Sequence, residues 1–130
     1  MDKPRILVAD DEAEIRSVLR KFLSGLIECD ISEAADGRQA LELLKKEPYD
    51  LVLMDIKMPG ISGIDATKKI KESYPGLEVL VISAWDSQSV ASEALQAGAS
   101  DYIPKPFQMK DIFNEISAIL KKKGKFLPKK

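Results

Sequence analysis

The sequence predicts an α/β protein: one domain with an open, doubly wound sheet of five parallel strands, covered by helices on both faces. Three observations predict it. Short apolar runs alternate with helical patterns along the whole chain. Those runs are continuous rather than alternating, as expected of strands buried on both faces of a parallel sheet with right-handed crossovers. Five such units in 130 residues suffice for one core but not for an eight-stranded barrel.

Each element has its own signal. Arg5-Ile6-Leu7-Val8-Ala9 is a compact apolar strand stopped by Asp10, Asp11 and Glu12. Ile15, Val18, Leu19, Phe22, Leu23 and Leu26 then follow the spacing of an amphipathic helix. Residues 28–34 are a weaker strand, with Cys29 and Ile31 on one face. Asp36-Gly37 is turn chemistry, and Ala40, Leu41, Leu43 and Leu44 mark a helix that ends before Pro48. Asp50 to Met54 is the third strand, ending at Asp55. Met58-Pro59-Gly60 breaks the chain, and Ile64 to Ser73 reads as a helix stopped by Pro75-Gly76. Leu77 to Ile82 is the most strand-like run. A Ser/Ala-rich helix over 87–97 is closed by Gly98, and Asp101 to Pro104 is a short fifth strand. The last helix carries Ile112, Phe113, Ile116, Ile119 and Leu120, and ends in lysines and Gly124. Met54, Met58 and Cys29 read as packing residues.

Composition narrows the function. Lys and Arg number 20 against 21 Asp and Glu, a net charge of −1. Six of those basic residues lie in 121–130, which holds no acid. The first 120 residues therefore carry 14 basic and 21 acidic side chains, a net charge of −7. The body is acidic and the tail basic, so the chain as a whole is no polycation for DNA. Histidine is absent, which removes His general bases and an internal phosphohistidine. A single Cys29 excludes an internal disulfide. No apolar run spans a bilayer and no signal peptide opens the chain, so a soluble cytoplasmic domain is expected, with residues 1–121 as the domain and 122–130 as a basic tail or linker start.

Ligands of open α/β sheets bind at the carboxyl ends of the strands. Here those ends carry Asp10 and Asp11, then Asp55, Ser83 and Lys105. Carboxylates gathered on one edge repel, and a divalent cation relieves that repulsion. Hard oxygen donors favour Mg²⁺, with Mn²⁺ as an alternative. An Asp can act as a nucleophile that becomes an aspartyl-phosphate, and Ser and Lys are suitable donors to phosphoryl oxygens.

This constellation resembles the receiver domains of two-component response regulators, the CheY-like family, over roughly residues 4–121. The carrying pieces are LVADDE, the LVLMDIKMPGISG block around Asp55, Ser83-Ala84, and Tyr102-Ile103-Pro104-Lys105-Pro106. The resemblance implies the flavodoxin-like strand order 2-1-3-4-5. It implies that Asp55 is the phosphoacceptor, with Asp11 holding Mg²⁺ directly, Asp10 holding it through water, and the Lys57 carbonyl as a further ligand. It also implies that Ser83 and Lys105 bind the phosphoryl group, that Lys105-Pro106 is cis, and that Tyr102 is an aromatic switch acting with Ser83. The Lys57 side chain and Trp85 occupy positions that bear on phosphoryl lifetime; either could instead be a surface group.

The implied function is to accept a phosphoryl group from a sensor histidine kinase or a histidine phosphotransfer protein, and to alter the face of helix four, strand five and helix five for a downstream protein target. Such a domain is a signalling switch that promotes its own phosphorylation and dephosphorylation, not a conventional enzyme. No direct DNA binding and no membrane span are expected. A phosphorylation-dependent homodimer, and excision from a larger regulator with an output domain after residue 121, stay open. An Asp-nucleophile, Mg²⁺-dependent phosphatase would need two acids spaced two residues apart after the first strand. A flavin carrier would need a phosphate-cradling loop there. The Asp10-Asp11-Glu12 loop suits neither.

Overall fold

A computed structural model of the chain describes residues 3–84 and 88–129. The elements run β1 (Arg5–Ala9), α1 (Ala13–Leu26), β2 (Asp30–Ala34), α2 (Gly37–Lys46), β3 (Leu51–Asp55), α3 (Gly63–Ser73), β4 (Glu78–Ser83), α4 (Gln88–Gln96), β5 (Asp101–Pro104) and α5 (Met109–Lys122). All four strand pairings are parallel and the order is β2-β1-β3-β4-β5, as expected.

The strands divide their side chains between two cores. Ile6, Val8, Leu51, Leu53, Leu80, Ile82 and Ile103 meet Leu19 and Leu23 of α1 and Ile112, Ile116 and Leu120 of α5. Leu7, Ala9, Val52, Met54, Val79 and Val81 meet α2, α3 and α4 through residues such as Ala40, Leu44, Ala66, Ile70 and Ala94. This alternation explains the continuous apolar runs of β1, β3 and β4, because both faces of these strands lie under helices. Met54 and Met58 are buried in the second core, as packing residues should be.

Local chemistry sets the helix starts. Asp36 caps α2 by accepting the Gln39 N–H at 2.8 Å, while the Gln39 side chain accepts the Ala35 N–H at 2.9 Å. Gly37 is thus the first residue of α2 rather than a turn residue before it. Ser62 caps α3 by accepting the Asp65 N–H at 3.1 Å.

The chain turns back after α5. Gly124 takes φ +72° and reverses the chain: Lys125 N–H bonds the Leu120 carbonyl at 2.8 Å, and Gly124 N–H bonds that of Lys121 at 3.0 Å. The following residues dock at the far end of the sheet from the strand-end acids. Ile27 and Pro128 form an antiparallel bridge, and Glu28 N–H bonds the Leu127 carbonyl at 2.7 Å. This pairing occupies Glu28, so β2 begins at Asp30 rather than at residue 28. Phe126 meets Phe113 edge-on at 6.3 Å between ring centroids, and Phe113 meets Phe22 at 6.5 Å. Lys125 Nζ lies 2.8 Å from Asp50 Oδ1. Lysines dominate the composition of 121–130, but its apolar Phe126-Leu127-Pro128 triplet supplies the ring contact and the backbone pairing that dock it.

Candidate phosphoacceptor site

Register brings the strand-end residues together. Ala9 pairs with Met54, so Asp10 and Asp55 leave adjacent strands at neighbouring positions. Asp55 pairs with Ile82 and Ser83 with Pro104, so Ser83 and Lys105 follow one step beyond. Lys105 N–H closes the set by donating to the Ser83 carbonyl at 2.7 Å. The Lys105–Pro106 peptide is cis.

Carboxylate oxygens of Asp10, Asp11 and Asp55 lie within 4.8 Å of one another. Lys105 reaches into this group. Its Nζ is 2.9 Å from Asp10 Oδ2, 3.3 Å from Glu12 Oε2 and 3.5 Å from Asp55 Oδ2. Asp10 and Asp55 are buried, whereas Asp11 is exposed. A cleft of about 390 Å³ is lined by Asp11, Glu12, Asp55, Lys57, Ala84 and Lys105. Beside it lies an apolar hollow lined by Ile15, Ala84, Lys105, Pro106, Phe107 and Met109.

Burial, and then the charge of Asp10, push the Asp55 carboxyl up to about 6; Lys105 and the Lys57 N–H oppose this without cancelling it. Lys105 itself is raised. Burial works against its charge, but the hydrogen bond and charge of Asp10, with Asp55 and Glu12 behind them, outweigh that penalty. Among the described residues, four acids, Glu12 included, thus gather at the cleft with Lys105 among them and Lys57 at its wall. That donor set, oxygen-rich and undercompensated in charge, fits a hard divalent cation such as Mg²⁺.

Asp10, Asp11, Asp55, Lys57 and Lys105 are brought to one place. Ser83 is fully buried at the end of β4 and does not line the cleft. Tyr102 is half-buried in β5, packed against the core shared with α2, α3 and α4. Trp85 lies outside the described residues. Sequence reasoning missed three contributors. Glu12 was visible only as a strand stop, yet it touches Lys105. Gly63 was not singled out, yet its N–H donates to the Ile56 carbonyl at 2.8 Å and closes the loop after β3. Arg16 was not singled out, yet its Nη1 is 2.6 Å from the Asp10 carbonyl oxygen.

A parallel sheet that presents a buried aspartate in an acidic cleft with a lysine at its carboxyl edge defines a class: open α/β domains with a ligand site at the carboxyl ends of their strands. Comparison with known proteins makes the assignment specific. Residues 6–117 match the model of the response regulator receiver domain, and the chain belongs to that family. It is a CheY-like receiver domain of two-component systems. The chemotaxis protein CheY of Bacillus subtilis is 40% identical over 116 residues, covering 89% of this chain and 97% of that protein. Response regulator MprA of Mycolicibacterium vanbaalenii is 36% identical over 118 residues, or 91% of this chain, which spans only 51% of MprA. Among solved structures, a CheY-like receiver domain protein from Methanospirillum hungatei superposes with a TM-score of 0.88 at 28% identity, covering 95% of this chain and 98% of that one. The CheX–CheY–BeF3–Mg²⁺ complex of Borrelia burgdorferi gives 0.84 at 26% identity, covering 90% and 89%. Among the described residues no helix is long and apolar enough to cross a membrane.

Proposed function

We propose that the chain accepts a phosphoryl group on Asp55 from a phosphohistidine of a partner, a sensor histidine kinase or a histidine phosphotransfer protein. The observation that carries this is Lys105 Nζ between the buried carboxylates of Asp10 and Asp55, at 2.9 and 3.5 Å. An ionised Asp55 oxygen attacks phosphorus as the phosphorus–nitrogen bond breaks, and the leaving imidazole takes a proton from solvent. Lys105 places its ammonium beside the accepting oxygen and neutralises charge on the incoming group. The Lys57 N–H favours the charged form of the Asp55 carboxylate.

Asp10, Asp11, Asp55 and the Lys57 carbonyl would hold Mg²⁺, or Mn²⁺. When bound, the ion supplies positive charge to the transferring phosphoryl oxygens. The Borrelia relative was solved as a complex with BeF3 and Mg²⁺, which supports this reading. Asp10 keeps one carboxylate oxygen on the Glu12 N–H at 2.9 Å and the other on Lys105, which suits contact with the ion through water. The apolar hollow around Ile15, Pro106 and Phe107 offers the histidine-bearing partner a docking wall beside the cleft.

The phosphoryl group would carry a charge of about −1.5 to −2. Ser83, one register step from Lys105, would turn toward it, and Tyr102 would follow inward. That rearrangement changes the surface of α4, β5 and α5 offered to a downstream protein. Lys57, exposed at the cleft, and Trp85 are assigned to phosphoryl lifetime, and the domain is assigned to the cytoplasm with its partners.

Intact-mass measurement after incubation with acetyl phosphate tests the reading. The expected result is one added phosphoryl group that needs Mg²⁺ and is absent from Asp55→Ala. An unchanged mass in well-folded protein, or an adduct that persists in Asp55→Ala, contradicts it.

A further inference from the structure

We propose that Arg16 is a positioning residue for the cation site: it clamps the Asp10 main-chain carbonyl to Glu33 of β2 and so fixes the peptide that leads into Asp11. This rests on the assignment of Asp10 and Asp11 to the cation site.

Asp10 is fully buried and held at every polar group. Its N–H donates to the Ala34 carbonyl at 3.0 Å. Its Oδ1 accepts the Glu12 N–H at 2.9 Å and its Oδ2 accepts Lys105 Nζ at 2.9 Å. Its carbonyl accepts Arg16 Nη1 at 2.6 Å. The last bond differs in kind from the side-chain bonds. An incoming cation or phosphoryl group competes for the Asp10 carboxylate and for Lys105, but not for a carbonyl turned toward α1 and β2. The Arg16 contact therefore persists while the side-chain bonds are exchanged.

The guanidinium is itself anchored. Arg16 Nε donates to Glu33 Oε1 at 3.0 Å, and the other carboxylate oxygen of Glu33 takes Arg20 Nε at 2.7 Å. A planar fork bonded at Nε and at Nη1 has its orientation set by two points, which a lysine ammonium cannot reproduce. Arg16 is mostly covered, at 17% side-chain exposure against 45% for Arg20. The two arginines thus share one carboxylate, but only Arg16 also reaches Asp10. Arg20 is a built-in control.

The sign of one measurement separates positioning from plain charge. Removing an arginine beside a cation site strengthens cation binding if only its field matters. Loss of a positioning contact weakens binding, and outer-sphere partners of metal sites commonly shift affinity 10- to 100-fold.

The test is calorimetric titration of Mg²⁺ into the metal-free full chain, with amide hydrogen exchange at Asp11 and Glu12 measured before any metal is added. Arg16→Ala should raise the Mg²⁺ Kd about tenfold and speed exchange at both amides. Arg16→Lys, with the charge kept, should also bind more weakly than wild type. Arg20→Ala should match wild type in both readouts. If Arg16→Ala does not fold, Glu33→Gln releases the guanidinium while leaving Arg16 in place and should weaken Mg²⁺ binding in the same direction. An unchanged or lower Kd in Arg16→Ala, or equal weakening in Arg20→Ala, overturns the proposal. Mg²⁺ binding that survives Asp11→Asn unaltered sinks the cation-site assignment instead. In that case exchange at Asp11 and Glu12 judges the clamp: unchanged exchange in Arg16→Ala removes it as well.

Discussion

Gly63 lies directly against the backbone of Asp55. A Cβ on Gly63 would stand 2.1 Å from the Asp55 carbonyl oxygen and 2.7 Å from the Ile56 Cα. The glycine needs no unusual backbone angle; it is required by this close approach alone, where the loop after β3 folds back to start α3.

Gly63→Ala should therefore displace the loop that carries Asp55. Backbone, unlike a side-chain tip, cannot give way cheaply, so a loss of about 3 kcal/mol is expected by analogy with overpacked sites. Urea unfolding measures it. Phosphoryl acceptance should fall even in the protein that stays folded, because Asp55 moves with its carbonyl.

Asp55 should cost the metal-free domain stability. Its carboxyl is raised from 3.8 to about 6, so the folded state holds a proton that the unfolded state has already lost. The Asp55 contribution is then full below about pH 4 and declines as pH rises toward 6. That interval corresponds to at most about 3 kcal/mol. Asp55→Asn should be more stable than wild type at pH 7 without Mg²⁺, by about 2 kcal/mol, and should lose the decline between pH 4 and 6. Thermal unfolding across that range checks both; a variant no more stable than wild type contradicts the account of the pocket.

The docked tail should contribute stability without touching the chemistry. Asp50 Oδ2 accepts the Arg5 N–H at 2.9 Å while Oδ1 takes Lys125. Burial works against the Asp50 charge, but the Lys125 and Arg5 hydrogen bonds outweigh it and hold the carboxyl below its usual 3.8. This contribution is present above that value and lost as pH falls through the lower folded value. Asp50→Asn should cost about 1 kcal/mol at pH 7, and the difference from wild type should shrink in acid. Phe126→Ala should cost about 1–2 kcal/mol by removing the Phe113 contact. Acetyl phosphate labelling of both variants should match wild type.

How much of this was legible follows from how local each signal is. Strand ends are local: an apolar run followed by a polar residue marks Asp10, Asp55, Ser83 and Lys105 without knowledge of their neighbours. The strand order was not readable from periodicity and came from the family resemblance. Contacts between distant residues left no periodic trace. Nothing in the spacing of Arg16 says that it spans from Glu33 to the Asp10 carbonyl. Gly63 offered only its place after Ser62, and its need is a close approach that a linear pattern does not record. The docking of the tail was not legible because composition weighs all residues equally. Its lysines outnumber Phe126, Leu127 and Pro128, but the half-buried Phe126 and Leu127 and the Ile27–Pro128 bridge mark its path.

The most direct test of the central claim is chemical mapping of the phosphorylated residue. Reaction with a phosphohistidine domain in Mg²⁺, borohydride reduction of the acyl phosphate and peptide mass mapping should place a single homoserine at position 55. Reduction at any other carboxylate, or none in protein shown by intact mass to be phosphorylated, would contradict it.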